Sequence, residues 1–278
     1  MLWLTAVCLL STAVALRPPP LLQRQLQHLH DNRYVVIPNW LSATQTDSIR
    51  DDALAVNAYG SGIDCHVGNG GFGEASLDLS VRKSRQCLLY PPPPNAAGNV
   101  ETRDQLIHAV NTLRSELQAS ATIALPHLEP FQTELVYLLY PVGGHYMRHL
   151  DNKRGESRGW RQQGRLAMDG GSFCGGRTRR VVSFILYLNR HWDEADGGHL
   201  RVFPAYEQGD GTADSQLRGF TEDIVPEGGT IVLLMSGDVE HLVRETQAER
   251  QCVVGWFREY REERVPDLDA MSLRDTLG

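Results

Sequence analysis

Positions 145–151 read HYMRHLD, and this stretch decides how the rest of the chain is interpreted. Side chains of a β-strand alternate between its two faces, so His149 and Asp151 are expected to project to the same side. His241 lies far downstream in a second predicted strand, again among alternating apolar residues. Two histidines and one carboxylate form the facial triad that binds non-heme Fe(II) and leaves positions open for substrates. The three residues are therefore predicted to be metal ligands.

A cationic side chain, Arg250, follows His241 by nine residues. Its planar guanidinium suits a carboxylate, because it can donate two parallel hydrogen bonds. In a predicted strand over 250–258, Arg250 shares one face with Cys252 and Trp256. A charge among apolar neighbours is costly unless a partner satisfies it, so this face predicts a dry pocket that holds a metal and an anion.

Each of these residues also has an ordinary explanation. A His-x-Asp pair occurs often by chance. A single histidine in a strand is usually a core or surface residue, and an isolated arginine most often forms a surface ion pair. The prediction depends on the conjunction of His149, Asp151, His241 and Arg250 on strands of one predicted barrel.

The hydrophobic pattern changes near residue 133. Before it, Ser42 is expected to cap a helix that runs towards Val56, and 102–117 carries apolar residues on one helical face. Helices followed by a run of strands favour an α+β fold in which helices pack outside a β-sandwich or jelly roll. Alternation with period two predicts the strands 133–140, 145–151, 180–188, 198–203, 229–235, 239–244 and 250–258.

Further motifs lie in order around the four residues. They are YPVGGHYMRHLDN at 140–152, YLN at 187–189, Trp192, GGHLRVFP at 197–204, SGD at 236–238 and WF at 256–257. With these motifs the sequence resembles the prolyl 4-hydroxylase-like, 2-oxoglutarate-dependent dioxygenases between residues 33 and 260. The step from His241 to Arg250, with arginine where the collagen-type branch has lysine, is similar to the oxygen-sensing (HIF-type) branch.

The resemblance implies a fold and a set of roles. The fold would be a double-stranded β-helix, jelly-roll or cupin-like, with N-terminal helices bracing one sheet. His149, Asp151 and His241 would hold Fe(II), while Arg250 would grip the distal carboxylate of 2-oxoglutarate with a hydrogen bond from Tyr187. By the same matching, the co-substrate pocket would be lined by Tyr140, Ile185, Leu200, Val243 and Trp256.

The implied activity is hydroxylation of peptidyl proline, coupled to decarboxylation of 2-oxoglutarate to succinate and CO2. The reaction would consume O2, and L-ascorbate would keep the iron ferrous. The partner would be a proline-containing peptide or protein, and the enzyme would be a monomer or weak dimer. Two alternatives stay open. The same chemistry could act on a small molecule, another side chain or a nucleic acid, or the fold could serve as a non-catalytic binding module.

The termini suggest a division of the chain. An apolar run over 2–16 ends in the small-x-small sequence AVA at 13–15, which is typical of a signal peptide. This leader favours the secretory pathway or an organelle lumen, whereas oxygen-sensing relatives work in the cytoplasm and nucleus, so both locations stay open. The predicted segments are a leader at 1–16, a linker with a short helix at 17–32, the dioxygenase domain at 33–262 (core 133–260) and a tail at 263–278.

Charge and composition narrow the partners. The formal net charge of -7 argues against stable binding to nucleic acid. Apart from the leader, no apolar run approaches the ~20 residues that span a bilayer, so no membrane span is expected in the mature chain. The stretch 152–180 carries eight lysines and arginines against two acidic residues. It is interpreted either as a solvated surface insertion or as a lid that recruits an acidic partner.

Five cysteines are present, and Cys8 would leave with the leader. The other four are widely spaced without a CxxC pair, which makes a zinc site unexpected. An oxidising compartment would allow a bridge between Cys65 and Cys87, although the sequence does not establish pairing. Cys252 lies in an apolar strand and is expected to be a core residue.

Overall fold

The computed structural model describes residues 16–58, 63–65, 77–90, 97–125, 127–130, 134–151, 178–203 and 221–260. The helices in these ranges are α1 (Gln23–Asn32), α2 (Ala43–Val56) and α3 (Val100–Ala119). None of them is both long and apolar enough to cross a membrane. The strands are β1 (Tyr34–Ile37), β2 (Ile63–Asp64), β3 (Arg82–Lys83), β4 (Arg85–Tyr90), β5 (Glu134–Tyr140), β6 (His145–His149), β7 (Thr178–Tyr187), β8 (Leu200–Phe203), β9 (Glu222–Ile224), β10 (Ile231–Met235), β11 (Glu240–Val243) and β12 (Arg250–Tyr260).

The strands form two antiparallel sheets. The larger sheet has the order β1-β10-β7-β12-β5-β4-β2, and the smaller has the order β3-β6-β11-β8-β9. Their inner faces share one apolar core, in which Val136 and Val232 of the larger sheet meet Leu200 and Val243 of the smaller. This arrangement confirms the predicted α+β architecture of a double-stranded β-helix with bracing helices.

Strand alternation divides the larger sheet between two cores. On β12, Val253 and Phe257 point towards the helices, whereas Cys252 and Val254 point into the barrel between the sheets. The same division runs through β5 and β7, because neighbouring strands are in register. We call the helix side the outer core and the barrel side the inner core. The inner core surrounds the candidate site.

The helices brace the outer core as the sequence predicts. The Ser42 hydroxyl accepts a hydrogen bond from the backbone N–H of Gln45, and the Gln45 side chain accepts one from Ser42 N–H at 2.9 Å. These reciprocal bonds satisfy two amides that the first turn of α2 leaves without helical partners. On α3, Leu106 and Leu113 lie on one buried face, as the period of 3.6 residues requires. The helices thereby stiffen the sheet that carries Arg250.

Several short elements were not predicted. β2 and β3 contain two residues each, and β9 contains three, so none of them offers a readable alternation. β4 follows a glycine-rich stretch and is also missing from the prediction. These strands extend both sheets at their edges, and β3 forms one wall near the candidate site.

The predicted terminal segments are only partly described. The leader and the tail lie outside the described residues, except that Leu16 is buried in the outer core together with Leu29 of α1. The basic stretch 152–180 is also outside them up to residue 177, and its last three residues begin β7.

The cysteines make no bridge within the described residues. Cys65, Cys87 and Cys252 are free and buried. Cys65 lies in the inner core, whereas Cys87 lies in the outer core on the opposite side of the larger sheet. A bond between Cys65 and Cys87 is therefore absent because their side chains occupy different cores, and Cys252 is a core residue as expected.

Candidate metal and anion site

Three predicted ligands come together at the mouth of the inner core. One ligand atom from each of His149, Asp151 and His241 lies within 4.8 Å of the others. His149 Nε2 is 3.5 Å from Asp151 Oδ1, and His241 Nε2 is 3.9 Å from Asp151 Oδ2. Two imidazoles and one carboxylate around a common point are a donor set suited to a divalent transition metal.

Strand pairing places the two histidines beside each other. β6 pairs with β11, and His241 is directly opposite His149 in the register. The prediction of a strand over 145–151 was wrong at its end, because β6 stops at His149. Asp151 therefore reaches the site from the chain after the strand, and alternation does not place it there.

The backbone orients both imidazole rings. The Nδ1 atom of His149 is 2.8 Å from the carbonyl oxygen of Met147, and Nδ1 of His241 is 3.2 Å from that of Val239. When each Nδ1 carries the proton and donates it to the carbonyl, each Nε2 keeps a lone pair. This tautomer is the one that a histidine needs in order to ligate a metal through Nε2.

The electrostatics of the cluster favour a bound cation. Burial and repulsion from His149 lower the pKa of His241 to about 4, so its ring is neutral at pH 7. Burial opposes ionisation of Asp151, yet His241 and His149 hold its pKa well below the usual range. At neutral pH the site therefore offers the neutral imidazole of His241 and the ionised carboxylate of Asp151, and neither has to release a proton to bind a metal.

Two aromatic residues contact these ligands. The Tyr146 ring stacks on His149, with centroids 3.7 Å apart and an interplanar angle of 24°. The Trp256 indole N–H donates a hydrogen bond to Asp151 Oδ2 at 3.2 Å. Both aromatic side chains are partly buried against the inner core.

Sequence reasoning missed Tyr146, and the reason is a bulge. Strict alternation puts Tyr146 and His149 on opposite faces of a strand. In the structure Val243 is opposite Tyr146 and His241 is opposite His149, so three steps along β6 match two along β11. The irregularity turns Tyr146 to the same side as His149. The sequence carries no signal for this bulge.

Deeper in the barrel lies an arginine without a carboxylate partner. Arg250 is 1% exposed, and its Nε and Nη2 atoms have no hydrogen-bond partner among the described residues. Nη1 makes a weak contact of 3.5 Å with the sulfur of Cys252. The guanidinium lies 4.9 Å from the ring centroid of Tyr140 and 5.0 Å from that of Tyr187. A buried cation left in this state is costly, so the geometry suits an anion.

The hydroxyl of Tyr187 is a second group suited to bind an anion. It is buried and has no hydrogen-bond partner among the described residues. Burial raises the pKa of Tyr187, so the phenol keeps its proton and can donate it to an anion. Tyr187 is opposite Cys252 in the sheet, which brings it next to Arg250 on the inner face. The two side chains together form a cradle of N–H and O–H donors.

A glycine makes room for the arginine. Gly198 has a φ of +63°, a conformation that glycine adopts without strain. A Cβ atom at this position would lie 3.1 Å from Cδ of Arg250 and 2.9 Å from Oγ1 of Thr246. Within the GGHL motif at 197–200, Gly198 therefore contributes space for the arginine side chain rather than a functional group.

The other predicted pocket residues lie on the same inner face. Ile185, Leu200 and Val243 belong to the inner core, with Trp256 packed against it. Tyr140 is opposite Arg250 in the register and is 2% exposed. The structure thus places the predicted pocket residues on the barrel side of the sheets, and we call the region that they line the chamber. We refer to the partly exposed ligands His149 and Asp151 as its mouth and to the fully buried Arg250 as its deep end.

Known proteins are similar to this chain in sequence and in fold. Residues 135–258 match the 2OG-Fe(II) oxygenase superfamily. A crystal structure of a prolyl-4-hydroxylase from Pseudomonas putida is similar, with 25% identity, a TM-score of 0.60 and coverage of 85% of this chain and 98% of that one. No curated protein matches the chain.

Two more distant structures share the fold. One is a prolyl hydroxylase from Trichoplax adhaerens in complex with a peptide fragment of hypoxia inducible factor, at 19% identity and a TM-score of 0.59, covering 84% of this chain and 87% of that one. The other is a non-heme, alpha-ketoglutarate-dependent carbocyclase from nogalamycin biosynthesis, at 12% identity and a TM-score of 0.55, covering 92% and 94%. The same architecture therefore occurs with peptide and small-molecule chemistry.

Proposed function

We propose that this chain, whose residues 135–258 match the 2OG-Fe(II) oxygenase superfamily, is an oxygenase of this kind that hydroxylates prolyl residues in a peptide or protein. The observation that carries the oxygenase part is a His-Asp-His cluster combined with the buried guanidinium of Arg250, whose Nε and Nη2 have no hydrogen-bond partner among the described residues. Support for proline as the target comes from the similarity to the Pseudomonas putida prolyl-4-hydroxylase.

In this proposal His149, Asp151 and His241 hold Fe(II). Their two imidazoles and one carboxylate fit this ion, and three ligands leave coordination positions for substrates. Bound iron with 2-oxoglutarate and O2 supplies the oxidising power that converts a C–H bond to C–OH, with release of succinate and CO2. L-ascorbate is expected to keep the iron ferrous.

The protein's own task at the deep end is to bind and orient a dicarboxylic acid. Arg250 donates from Nε and Nη2 to the distal carboxylate, and Tyr187 donates from its hydroxyl. Tyr140 covers the guanidinium with its ring. These donors are already buried and have no partners among the described residues. Binding the carboxylate therefore gains hydrogen bonds without a further cost of removing the donors from water.

We expect the apolar wall of the chamber to exclude water when substrates are bound. Ile185, Leu200 and Val243 present apolar side chains, and Trp256 closes the side next to Asp151. A dry wall strengthens the interaction between Arg250 and a carboxylate, because the local dielectric is low. It also protects a reactive centre from side reactions with solvent.

The remaining expectations about the biological setting stay predictions. A proline-containing peptide or protein is the proposed substrate, and a monomer or weak dimer is the proposed assembly, without stable nucleic-acid binding. A secretory or organelle lumen is proposed from the leader, with the cytoplasm and nucleus as the alternative. The basic stretch up to residue 177 lies outside the described residues. The surface insertion and the lid that recruits an acidic partner therefore both stay open as interpretations.

The test is succinate formation by purified protein supplied with Fe(II), 2-oxoglutarate and ascorbate, with and without proline-rich peptides. We expect peptide-dependent succinate and a peptide mass gain of about 16 Da, the mass of one added oxygen. Arg250→Ala serves as the matched control, because it should lose turnover at low 2-oxoglutarate while keeping the metal ligands.

Other outcomes separate the alternatives. Succinate that forms equally without any peptide would retain the oxygenase and remove the tested peptides as substrates, which favours a small molecule or another side chain. No succinate from protein with bound iron would contradict the proposal and favour a non-catalytic binding module.

A further inference from the structure

The two ligands at the mouth of the chamber share a feature that the third lacks. Each contacts an aromatic side chain, and each aromatic ring is covered by an arginine. We call these arrangements the Tyr146 bracket (Arg82, Tyr146) and the Trp256 bracket (Arg180, Trp256). They lie on opposite sides of the cluster, one on the smaller sheet and one on the larger.

The Tyr146 bracket holds a ring against a ring. The guanidinium carbon of Arg82 is 4.6 Å from the Tyr146 centroid, and Tyr146 stacks on His149 at 3.7 Å. Arg82 Nε also donates a hydrogen bond of 2.9 Å to the hydroxyl of Ser84, which fixes the arginine on its strand. The His149 imidazole therefore has one face covered, so rotation about its χ2 angle is restricted.

The Trp256 bracket holds a carboxylate. The guanidinium carbon of Arg180 is 3.7 Å from the Trp256 ring centroid, and the indole N–H binds Oδ2 of Asp151. Asp151 follows the end of β6, so no ladder hydrogen bond fixes its position. A single donor on Oδ2 defines the carboxylate plane and leaves Oδ1 directed at His149.

The third ligand needs no such support. His241 lies in β11, which is paired on both sides by β6 and β8. Its side chain is 6% exposed, compared with 15% for each of the other two ligands. Backbone pairing and burial already restrict its rotamer.

We propose that Tyr146 and Trp256, each covered by an arginine, are positioning residues that preorganise His149 and Asp151 for metal binding. The inference rests on the proposed function, since it assumes that the cluster binds a divalent metal. Ordering two partly exposed ligands before the ion arrives removes an entropic cost from binding, and residues that orient ligands commonly contribute a factor of about 10–100 in metal affinity.

The test measures Co(II) binding to the full chain by calorimetry, together with the visible d–d spectrum that reports coordination geometry. Trp256→Phe keeps a ring but removes the indole N–H, and Tyr146→Leu removes the stacked ring. We expect each variant to bind Co(II) about 10- to 100-fold more weakly with an altered spectrum. Tyr146→Phe retains the ring and should restore both affinity and spectrum.

The chain offers matched controls. Trp192 also donates its indole N–H, to the carbonyl of Gly197 at 3.0 Å, but it contacts none of the ligands, so Trp192→Phe should leave Co(II) affinity unchanged.

Arg148 covers the ring of Phe203 at 3.9 Å on the smaller sheet. Arg82→Met and Arg180→Met uncover the rings but also remove positive charges that act on Asp151, so the coordination spectrum is the readout for them, and it should change, whereas Arg148→Met should leave the spectrum unchanged.

The outcomes distinguish this inference from the proposed function. Wild-type protein that fails to bind Co(II) would overturn the proposed metal site itself. Wild-type protein that binds, with Trp256→Phe within two-fold in affinity and identical in spectrum, would overturn the positioning roles and leave the proposed function intact. Circular dichroism checks that each variant is folded, and Trp256→Phe decides the question if Tyr146→Leu does not fold.

Discussion

The two ends of the chamber are built in different ways. At the deep end, Arg250, Tyr187 and Tyr140 project from central strands of the larger sheet, and each is at most 2% exposed. At the mouth, His149 ends a strand and Asp151 follows it, with 15% of each side chain exposed. The deep end is thus positioned by the sheet ladder, whereas the partly exposed side chains of His149 and Asp151 depend more on contacts with neighbouring side chains.

This difference teaches where the protein can tolerate change. A cradle on paired strands stays in place without its ligand, although it leaves a charge and a hydroxyl without partners. A cluster at a strand end keeps its geometry only as long as its neighbours hold it. Substitutions at the deep end should therefore act on anion binding, and those at the mouth should act on metal binding.

The largest effect is expected at the metal end. His241→Ala removes a ligand rather than a support, so Co(II) affinity should fall by more than about 100-fold, beyond the range for orienting residues. Metal content after gel filtration and succinate formation would both be measured. Turnover that survives in His241→Ala would show that the ligand assignment is mistaken.

The next effect belongs to the deep end. Arg250→Met should raise the 2-oxoglutarate concentration needed for half-maximal succinate formation by about 10- to 100-fold, because it removes charged hydrogen bonds of ~1.5–3 kcal/mol. Co(II) affinity should stay unchanged. Equal losses of metal and 2-oxoglutarate binding would contradict the separation of the two ends.

A second buried arginine sharpens this comparison. Arg103 has a carboxylate partner, with Nε 3.5 Å from Asp52 and both side chains nearly inaccessible. Removing Arg103 leaves a buried charge and should destabilise the protein by about 3–5 kcal/mol, whereas Arg250→Met should be neutral or stabilising without 2-oxoglutarate. Thermal unfolding of both ligand-free variants provides the measurement, and a large loss of stability in Arg250→Met would count against an unpaired cation.

A pH effect is expected in the metal-free protein. The pKa of His241 is about 4 in the folded state and near 6.5 when unfolded, so the unfolded state binds more protons between these values. The contribution of His241 to the free energy of unfolding is therefore complete above pH 6.5. It decreases as the pH falls towards 4, by up to about 1.4 kcal/mol for each pH unit.

Comparison with His241→Gln isolates this contribution. Burial raises the pKa of Asp52 to about 6, which acts in the opposite direction over the same pH range, but that contribution is common to both proteins. Unfolding midpoints at pH 7, 6 and 5 would be compared. Parallel pH profiles for the two proteins would show that His241 is not held neutral by its surroundings.

The smallest effect concerns one hydroxyl. Tyr187→Phe should weaken 2-oxoglutarate binding by about 1 kcal/mol, or roughly five-fold, because it removes a single hydrogen bond. Tyr137 provides the control, since its hydroxyl is also buried without a partner but lies in the outer core. Tyr137→Phe should leave binding unchanged, and an equal effect of both substitutions would remove the role given to Tyr187.

Long patterned segments could be read directly from the sequence. Ser42 caps α2 as expected, because a side-chain oxygen three residues before an amide is a local feature. Alternation located β5, β7, β10, β11 and β12 to within a few residues. Strands of two or three residues, such as β2 and β3, could not be predicted, since their pairing partners are distant in the chain.

The site shows the same division. His149, Asp151, His241 and Arg250 could be nominated from their chemistry and spacing, and the structure clusters the first three and buries Arg250 against Tyr140. The end of β6 at His149 and the bulge beside Tyr146 could not, because both depend on how β6 pairs with β11. The opposite placement of Cys65 and Cys87 likewise follows from sheet packing rather than from their spacing.

The sequence by itself therefore determined the alternating strands, the α+β order and the residue types that chemistry requires, because periodicity and side-chain chemistry are local properties. Only the tertiary structure decided that Nε and Nη2 of Arg250 have no partner in the described part of the chain, that Trp256 binds Asp151 and that Tyr146 covers His149. Trp256 and Asp151 are far apart in the chain, and Tyr146 meets His149 on one strand only because of the bulge where β6 pairs with β11. Register, bulges and burial set this geometry, and no local pattern encodes them.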